Sequence, residues 1–85
     1  MEFQKSVRIF NNMDKSLKEE IFYYVYGLYK QSLFGDNITL KPYWFNFKSL
    51  NKWKSWKKEF GKTKDDAKLD YINVIFALIQ NMIFK

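Results

Sequence analysis

Residues 35–48 read Gly35-Asp36-Asn37-Ile38-Thr39-Leu40-Lys41-Pro42-Tyr43-Trp44-Phe45-Asn46-Phe47-Lys48, fourteen residues between two segments of helical periodicity. A connection of that length extends up to about 45 Å at roughly 3.3 Å per residue. A helix of about 16 residues, the length predicted before it, is only about 24 Å long at about 1.5 Å per residue. The connection therefore reaches back along the molecule and lets the helices before and after it run parallel. Tyr43, Trp44, Phe45 and Phe47 are expected to pin it to the surface, since a loop this long in a small domain is usually packed and often functional.

On the N-terminal side, Ser16 and Glu19 have the spacing of a capping box and predict a helix starting near Leu17. It runs to Phe34 and ends at Gly35 in a left-handed cap, with Ile21, Val25, Leu28 and Ser32 as its core stripe. Before it, Phe3, Val7, Phe10 and Met13 recur at the spacing of a short amphipathic helix. On the C-terminal side, Ser49 is the predicted N-cap of a third helix through Phe60, with Leu50, Trp53, Trp56 and Phe60 inward and Gly61 closing it. Thr63 with Asp66 caps a fourth helix, whose first turn carries Asp65 and Asp66 where the dipole favours anions. Ala67, Tyr71, Val74, Leu78 and Met82 form its apolar line. The short turn from Phe60 to Thr63 predicts that helices three and four are antiparallel neighbours. The expected fold is all-α with four helices and no strand.

A second stripe on the last helix, Ile72, Phe76, Ile79 and Ile83, lies beside the core-facing one. A bundle buries one side of such a helix. The other side then meets a partner, a membrane surface or a second copy, or packs against the aromatic loop.

Composition narrows the function. A chain of 85 residues buries only roughly 60–65% of its unfolded surface, so its core is dense in large side chains: 47% of residues are hydrophobic and 21% aromatic. The absence of cysteine and histidine removes disulfides, the usual zinc sites and any Ser-His or Cys-His nucleophile pair. Asp65, Asp66, Glu19 and Glu20 read as helix-start charges and offer no acid/base pair. Binding is expected, not catalysis, with no metal or cofactor. The net charge of +6 with many aromatics also fits nucleic acid, but the lysines are scattered over several helices and match no nucleic-acid module. The N-terminus lacks a signal-peptide pattern, residue 2 is not glycine, and the apolar run Tyr71 to Phe84 falls short of the ~20 residues of a membrane span. A soluble, cytoplasmic monomer is expected.

Phe22, Tyr26, Tyr29, Lys30 and Leu33 share one face of the second helix, apolar at its start, then phenolic, then cationic. That grading suits a ligand with a hydrocarbon part and a phosphate part. The same spacing also fits tyrosines that are core residues with wet tips. Lys52 falls in the first turn of the predicted third helix, where a cation is disfavoured by about 0.3–1 kcal/mol unless an anion binds nearby. Lys54, Lys57, Lys58, Lys62 and Lys64 read as a solvated basic face.

Taken in order, Tyr26-Gly27-Leu28-Tyr29-Lys30-Gln31, Gly35-Asp36, Pro42, Lys52-Trp53-Lys54-Ser55-Trp56, Gly61-Lys62-Thr63, Asp66-Ala67 and Tyr71-Ile72 resemble the acyl-CoA-binding protein family. The helix plan extends the resemblance over about residues 3–80. It implies a four-helix bundle in an up-down-down-up arrangement with a long overhand loop between helices 2 and 3. It also implies one acyl-CoA-binding domain over residues 1–85, non-catalytic, that binds and pools medium- to long-chain fatty acyl-CoA esters. Carried over by position, Tyr26, Lys30 and Lys52 would hold the 3′-phosphate of the CoA ribose, Tyr29 would line the CoA site and Tyr71 would pack near the adenine. Phe22 and Tyr23 stand where the family lines its acyl groove. Asn11 occupies a position where the family usually has a nucleotide-contacting lysine, with Arg8 and Lys15 as nearby basic residues. Lys41-Pro42-Tyr43 replaces the usual arginine-proline-glycine of the loop, and the final helix carries apolar residues where the family has charges. The alternative is a membrane-surface or partner-binding helical module that uses Ile72, Phe76, Ile79 and Ile83.

Overall fold

The computed structural model describes residues 1–13, 17–43 and 46–84, the last three of these as helical backbone. It contains four helices: α1 (Phe3–Asn11), α2 (Glu19–Phe34), α3 (Phe47–Lys57) and α4 (Lys64–Phe84). Ring pairs give their directions. Phe3 meets Tyr29 and Phe10 meets Phe22, both with centroids 6.5 Å apart, so α1 and α2 are antiparallel. The Lys52 ammonium lies over the Tyr26 ring and Phe34 packs on Trp56 at 6.0 Å, so α2 and α3 are parallel. The result is the up-down-down-up arrangement, with the long connection carrying the chain back between α2 and α3.

The helix starts differ from the sequence reading. Ser16 lies outside the described residues, and α2 begins at Glu19 behind Lys18, which makes no side-chain cap. The cap of α3 is Asn46, whose side-chain oxygen accepts the Ser49 N–H at 3.3 Å, so the helix starts at Phe47. Lys52 therefore sits in the second turn, beyond the reach of the terminal dipole that a first-turn position implied. Regular α3 ends at Lys57, and the turns that continue to Gly61 leave Phe60 exposed instead of inward. The fourth helix follows its reading: the Asp66 N–H donates to Thr63 Oγ1 at 3.1 Å. Glu2 caps α1 by accepting the Lys5 N–H at 2.8 Å. Gly35 ends α2 at φ 76° but with extended ψ of −149°, which sends the chain outward into the connection.

Phe10, Val25, Leu28, Tyr71 and Ile75 form the buried core, with Phe3, Val7, Ile21, Val74 and Leu78 packed around it. Ile75 belongs to it although Val74 held its place in the predicted stripe. Ile79 packs against the same core, Ile72 is half-buried and Phe76 half-exposed. The side chains of Met82 and Ile83 lie outside the described residues.

The predicted pairing of helices three and four does not occur among the described residues. Instead α2 lies between α3 and α4 and packs on both, while α1 packs on α4. The reason is geometric: α3 buries Leu50 and lays its backbone at Ser55 against Gly27 of α2, while Ala67, Tyr71 and Ile75 of α4 are buried in the core that α1 and α2 share.

Hydrogen bonds fasten the first residues of the connection. Of the aromatic residues expected to pin it, only Tyr43 and Phe47 lie within the described residues, and both are exposed; Trp44 and Phe45 lie outside them. Asn37 is fully buried; its amide donates to the Trp53 carbonyl at 3.2 Å, and its oxygen accepts the Thr39 N–H at 3.0 Å and the Thr39 hydroxyl. The Trp53 indole N–H donates to the Thr39 carbonyl at 3.1 Å and that of Trp56 to the Gly35 carbonyl at 2.8 Å. Asp36 accepts the Gly61 N–H at 2.7 Å and the Gln31 amide at 2.9 Å, tying the end of α2 to the turn before α4.

Candidate functional site

Two hollows flank α2, and Tyr26 stands in the wall of both. The first arises because α1 and α2 have no close backbone approach among the described residues; they touch through ring pairs at their two ends and leave a gap between. The gap holds about 230 Å³ and is lined by Val7, Phe10, Phe22 and Val25, with the phenols of Tyr26, Tyr29 and Tyr71 and the Asn11 amide. None of these groups carries a formal charge at neutral pH. Tyr71 is only 2% exposed and meets the Phe3 ring edge-on at 5.2 Å, so it forms the floor. Burial, with Tyr29 beside it, pushes its phenol up to about 12, and burial likewise raises that of Tyr26. Both stay neutral and able to donate a hydrogen bond.

The second hollow, about 240 Å³, lies between α2, the connection and α3. Lys30 and Lys52 enter it from the two helices, and Leu40, Pro42, Trp53 and Trp56 wall it. The Lys30 ammonium rests 4.5 Å from the Phe34 ring centroid and 5.0 Å from that of Trp56; the Lys52 ammonium is 5.3 Å from that of Tyr26. Cation–π contact of this kind at exposed sites is worth about 0.5–1 kcal/mol, less than a charge-assisted bond to an anion. Among the described residues neither lysine has a carboxylate partner, in contrast to Lys62, which binds Glu59 at 2.8 Å and Asp70 at 2.5 Å. Two ammonium groups without a carboxylate partner, beside a neutral phenol, are chemically able to take an anion such as a phosphate.

The structure thus brings Tyr26, Lys30 and Lys52 together around one hollow and Asn11, Phe22, Tyr26, Tyr29 and Tyr71 around the other. It does not bring Tyr23 to either. Consecutive helix residues point about 100° apart, and Tyr23 opens on a groove of about 400 Å³ with Glu19, Glu20, Asn51, Lys54 and Lys58, touching Phe22 edge-on at 5.5 Å. Arg8 is exposed and lines neither hollow; Lys15 lies outside the described residues. Trp53 and Trp56 are site residues that the sequence reading placed only in a core stripe. Their signal was the single polar atom on each large ring, which a half-buried helix face must satisfy.

A helical bundle that joins an apolar, phenol-lined hollow to a cationic one is built for an amphiphile with an anionic head. Comparison with known proteins identifies the class more closely. The chain belongs to the acyl-CoA-binding protein family: the family profile described as "Acyl CoA binding protein" matches residues 1–75. Acyl-CoA-binding protein 2 of Saccharomyces pastorianus is 35% identical over 83 residues, 98% of this chain and 91% of its own. The acyl-CoA-binding protein of Saccharomyces cerevisiae is 34% identical over 77 residues, 91% of this chain and 88% of its own. The crystal structure of Oryza sativa Acyl-CoA-Binding Protein 2 superimposes with a TM-score of 0.95 at 31% identity, covering 98% of this chain and 92% of that one. Among the described residues, no helix is long and apolar enough to cross a membrane.

Proposed function

We propose that residues 1–85 act as one acyl-CoA-binding unit that holds medium- to long-chain fatty acyl-CoA esters without transforming them, and carries or pools them in the cytoplasm as a monomer. The observation that carries this reading is the position of Tyr26, shared by a cationic hollow and an apolar one. In this assignment Tyr26, Lys30 and Lys52 take the 3′-phosphate of the CoA ribose. Tyr29 lines the CoA moiety and Tyr71 backs the adenine. Phe22, on the wall of the apolar hollow, takes the acyl chain, and Tyr23 supports it through its ring contact with Phe22. Asn11, at the end of α1, offers the nucleotide an amide where a lysine would offer a charge. No metal or cofactor enters the scheme.

Affinity on this reading comes from the chain and selectivity from the phosphate. Each methylene removed from water contributes about 0.8 kcal/mol, against which ordering the ligand costs several kcal/mol in total. Calorimetric titration with saturated acyl-CoAs of increasing length, free CoA and free fatty acid tests it. Affinity climbs with chain length, the free acid binds far more weakly than its CoA ester, and the ester is recovered intact. Equal affinity for a long-chain ester and free CoA would overturn the chain-burial part.

A further inference from the structure

Ile38 is 88% exposed, Leu40 94%, Tyr43 77% and Phe47 67%, so large apolar side chains crowd the outside of one short segment. Single exposed apolar residues are ordinary; several on neighbouring positions mark a contact surface. The backbone around Ile38 and Leu40 is fastened from beneath, at Thr39 by the Asn37 side chain and the Trp53 indole N–H and at Gly35 by the Trp56 indole N–H. Lys41 and Lys48, also exposed, alternate with them. Charge selects the partner: from Asp36 to Glu59 the intervening chain has six lysines and no carboxylate.

We propose that Ile38, Leu40, Tyr43 and Phe47, with Lys41 and Lys48, form a docking patch for an anionic lipid bilayer. Apolar tips enter the boundary between headgroups and acyl chains, and the ammonium groups stay among the lipid phosphates. Of the second stripe that the sequence offered for this purpose on α4, Ile79 packs against the core and Ile72 is half-buried. The docking patch also adjoins the cationic hollow, whose wall includes Leu40 and Pro42. If the hollow takes an acyl-CoA, as proposed above, docking sets its mouth at the surface where such amphiphiles partition; that step alone rests on the carrier reading.

The test is flotation of the full chain, without acyl-CoA, on phosphatidylcholine vesicles with and without phosphatidylserine. The chain floats with the anionic vesicles, and raising salt from about 0.05 M to about 0.5 M releases it. The double variant Ile38→Ser/Phe47→Ser loses about tenfold in partition. Neither residue lines a ligand hollow, so the variant keeps its cooperative unfolding and its calorimetric affinity for acyl-CoA. Failure of the wild-type chain to float on anionic vesicles at low salt overturns the proposal, as does a variant that floats equally well. Concentration-dependent dimerisation abolished by the same variant, without flotation, would assign the patch to a second copy and overturn it too. Flotation without acyl-CoA affinity would instead sink the carrier reading and leave docking intact.

Discussion

Gly27 of α2 faces the backbone of Ser55 in α3 so closely that a β-carbon on it would overlap the Ser55 carbonyl oxygen and lie 2.7 Å from the carbonyl carbon. This approach sets the spacing of the two parallel helices, and Tyr26 and Lys52, one residue and three residues away along the chain, meet across the same seam. Gly27→Ala gains up to about 1 kcal/mol of helix propensity but forces apart backbone that cannot rotate away, an overpacking cost of about 1–3 kcal/mol. Urea denaturation should show a net loss of stability, and calorimetry a weaker acyl-CoA complex from the widened seam. A variant as stable as the parent would show that α2 and α3 separate without cost.

Lys30 and Lys52 approach the same hollow from different helices, so each is expected to make its own charge-assisted contact with a bound phosphate. Lys30→Ala and Lys52→Ala should each weaken binding of a long-chain acyl-CoA by about 1.5–3 kcal/mol. Lys58→Ala, on the charged groove beside Tyr23, serves as the control for net charge and should change affinity little. Titration with the 3′-dephospho ester separates a phosphate contact from a general field. Against that ligand the two substitutions should lose most of their effect.

Asn37 was invisible as a key residue in the sequence, since an asparagine two positions after a helix-ending glycine reads as turn chemistry. Its burial follows from where α3 passes, which no local pattern carries. Removing its side chain leaves the Thr39 N–H and the Trp53 carbonyl without that partner. Asn37→Ala should therefore cost about 1–3 kcal/mol, and hydrogen exchange at the Thr39 amide should accelerate well beyond the change in global stability.

What the sequence disclosed and what it withheld divide along a physical line. The four helices, the Thr63 cap, the Gly35 and Gly61 breaks and the face carrying Phe22, Tyr26, Tyr29 and Lys30 all follow from spacing within one helix, and spacing is a local property. The absent α3–α4 packing is a property of three helices at once: a short turn brings their ends together but leaves α2 free to lie between them. The cap of α3 was misplaced because Asn46 and Ser49 are both good caps, and only the path of the incoming chain chooses. Phe22 and Tyr23 are neighbours in sequence, and the helical turn between them sets their side chains on different hollows.

Tyr71 contributes a pH dependence to the fold on the alkaline side. Its phenol is raised from 10.0 to about 12 by burial and by Tyr29, so the folded state favours the neutral form. A raised value contributes stability that is complete below the ordinary tyrosine range and lost as pH climbs from 10 towards 12. Tyr71→Phe has nothing to ionise. Denaturant midpoints should fall less steeply for the variant than for the parent across that window, and the parent should show one late phenolate transition that the variant lacks.

Asp36 contributes a pH dependence on the acid side, with the opposite sign. Hydrogen bonds from the Gly61 N–H first and the Gln31 amide second, with Lys57 nearby, hold its carboxyl below its ordinary value of 3.8. A depressed value contributes stability that is complete above the ordinary carboxylate range and lost as pH falls through the folded-state value. Asp36→Asn retains an oxygen to accept the Gly61 N–H but removes the charge, and with it this source of pH dependence. Urea midpoints followed from about pH 6 down to about pH 2 should decline less steeply in the variant. The glycine amide exchange rate at Gly61 should rise with acid in the parent alone, after the ordinary pH dependence of exchange is divided out. Parallel acid limbs in the two proteins would mean that the link between the end of α2 and the turn before α4 does not depend on the Asp36 charge.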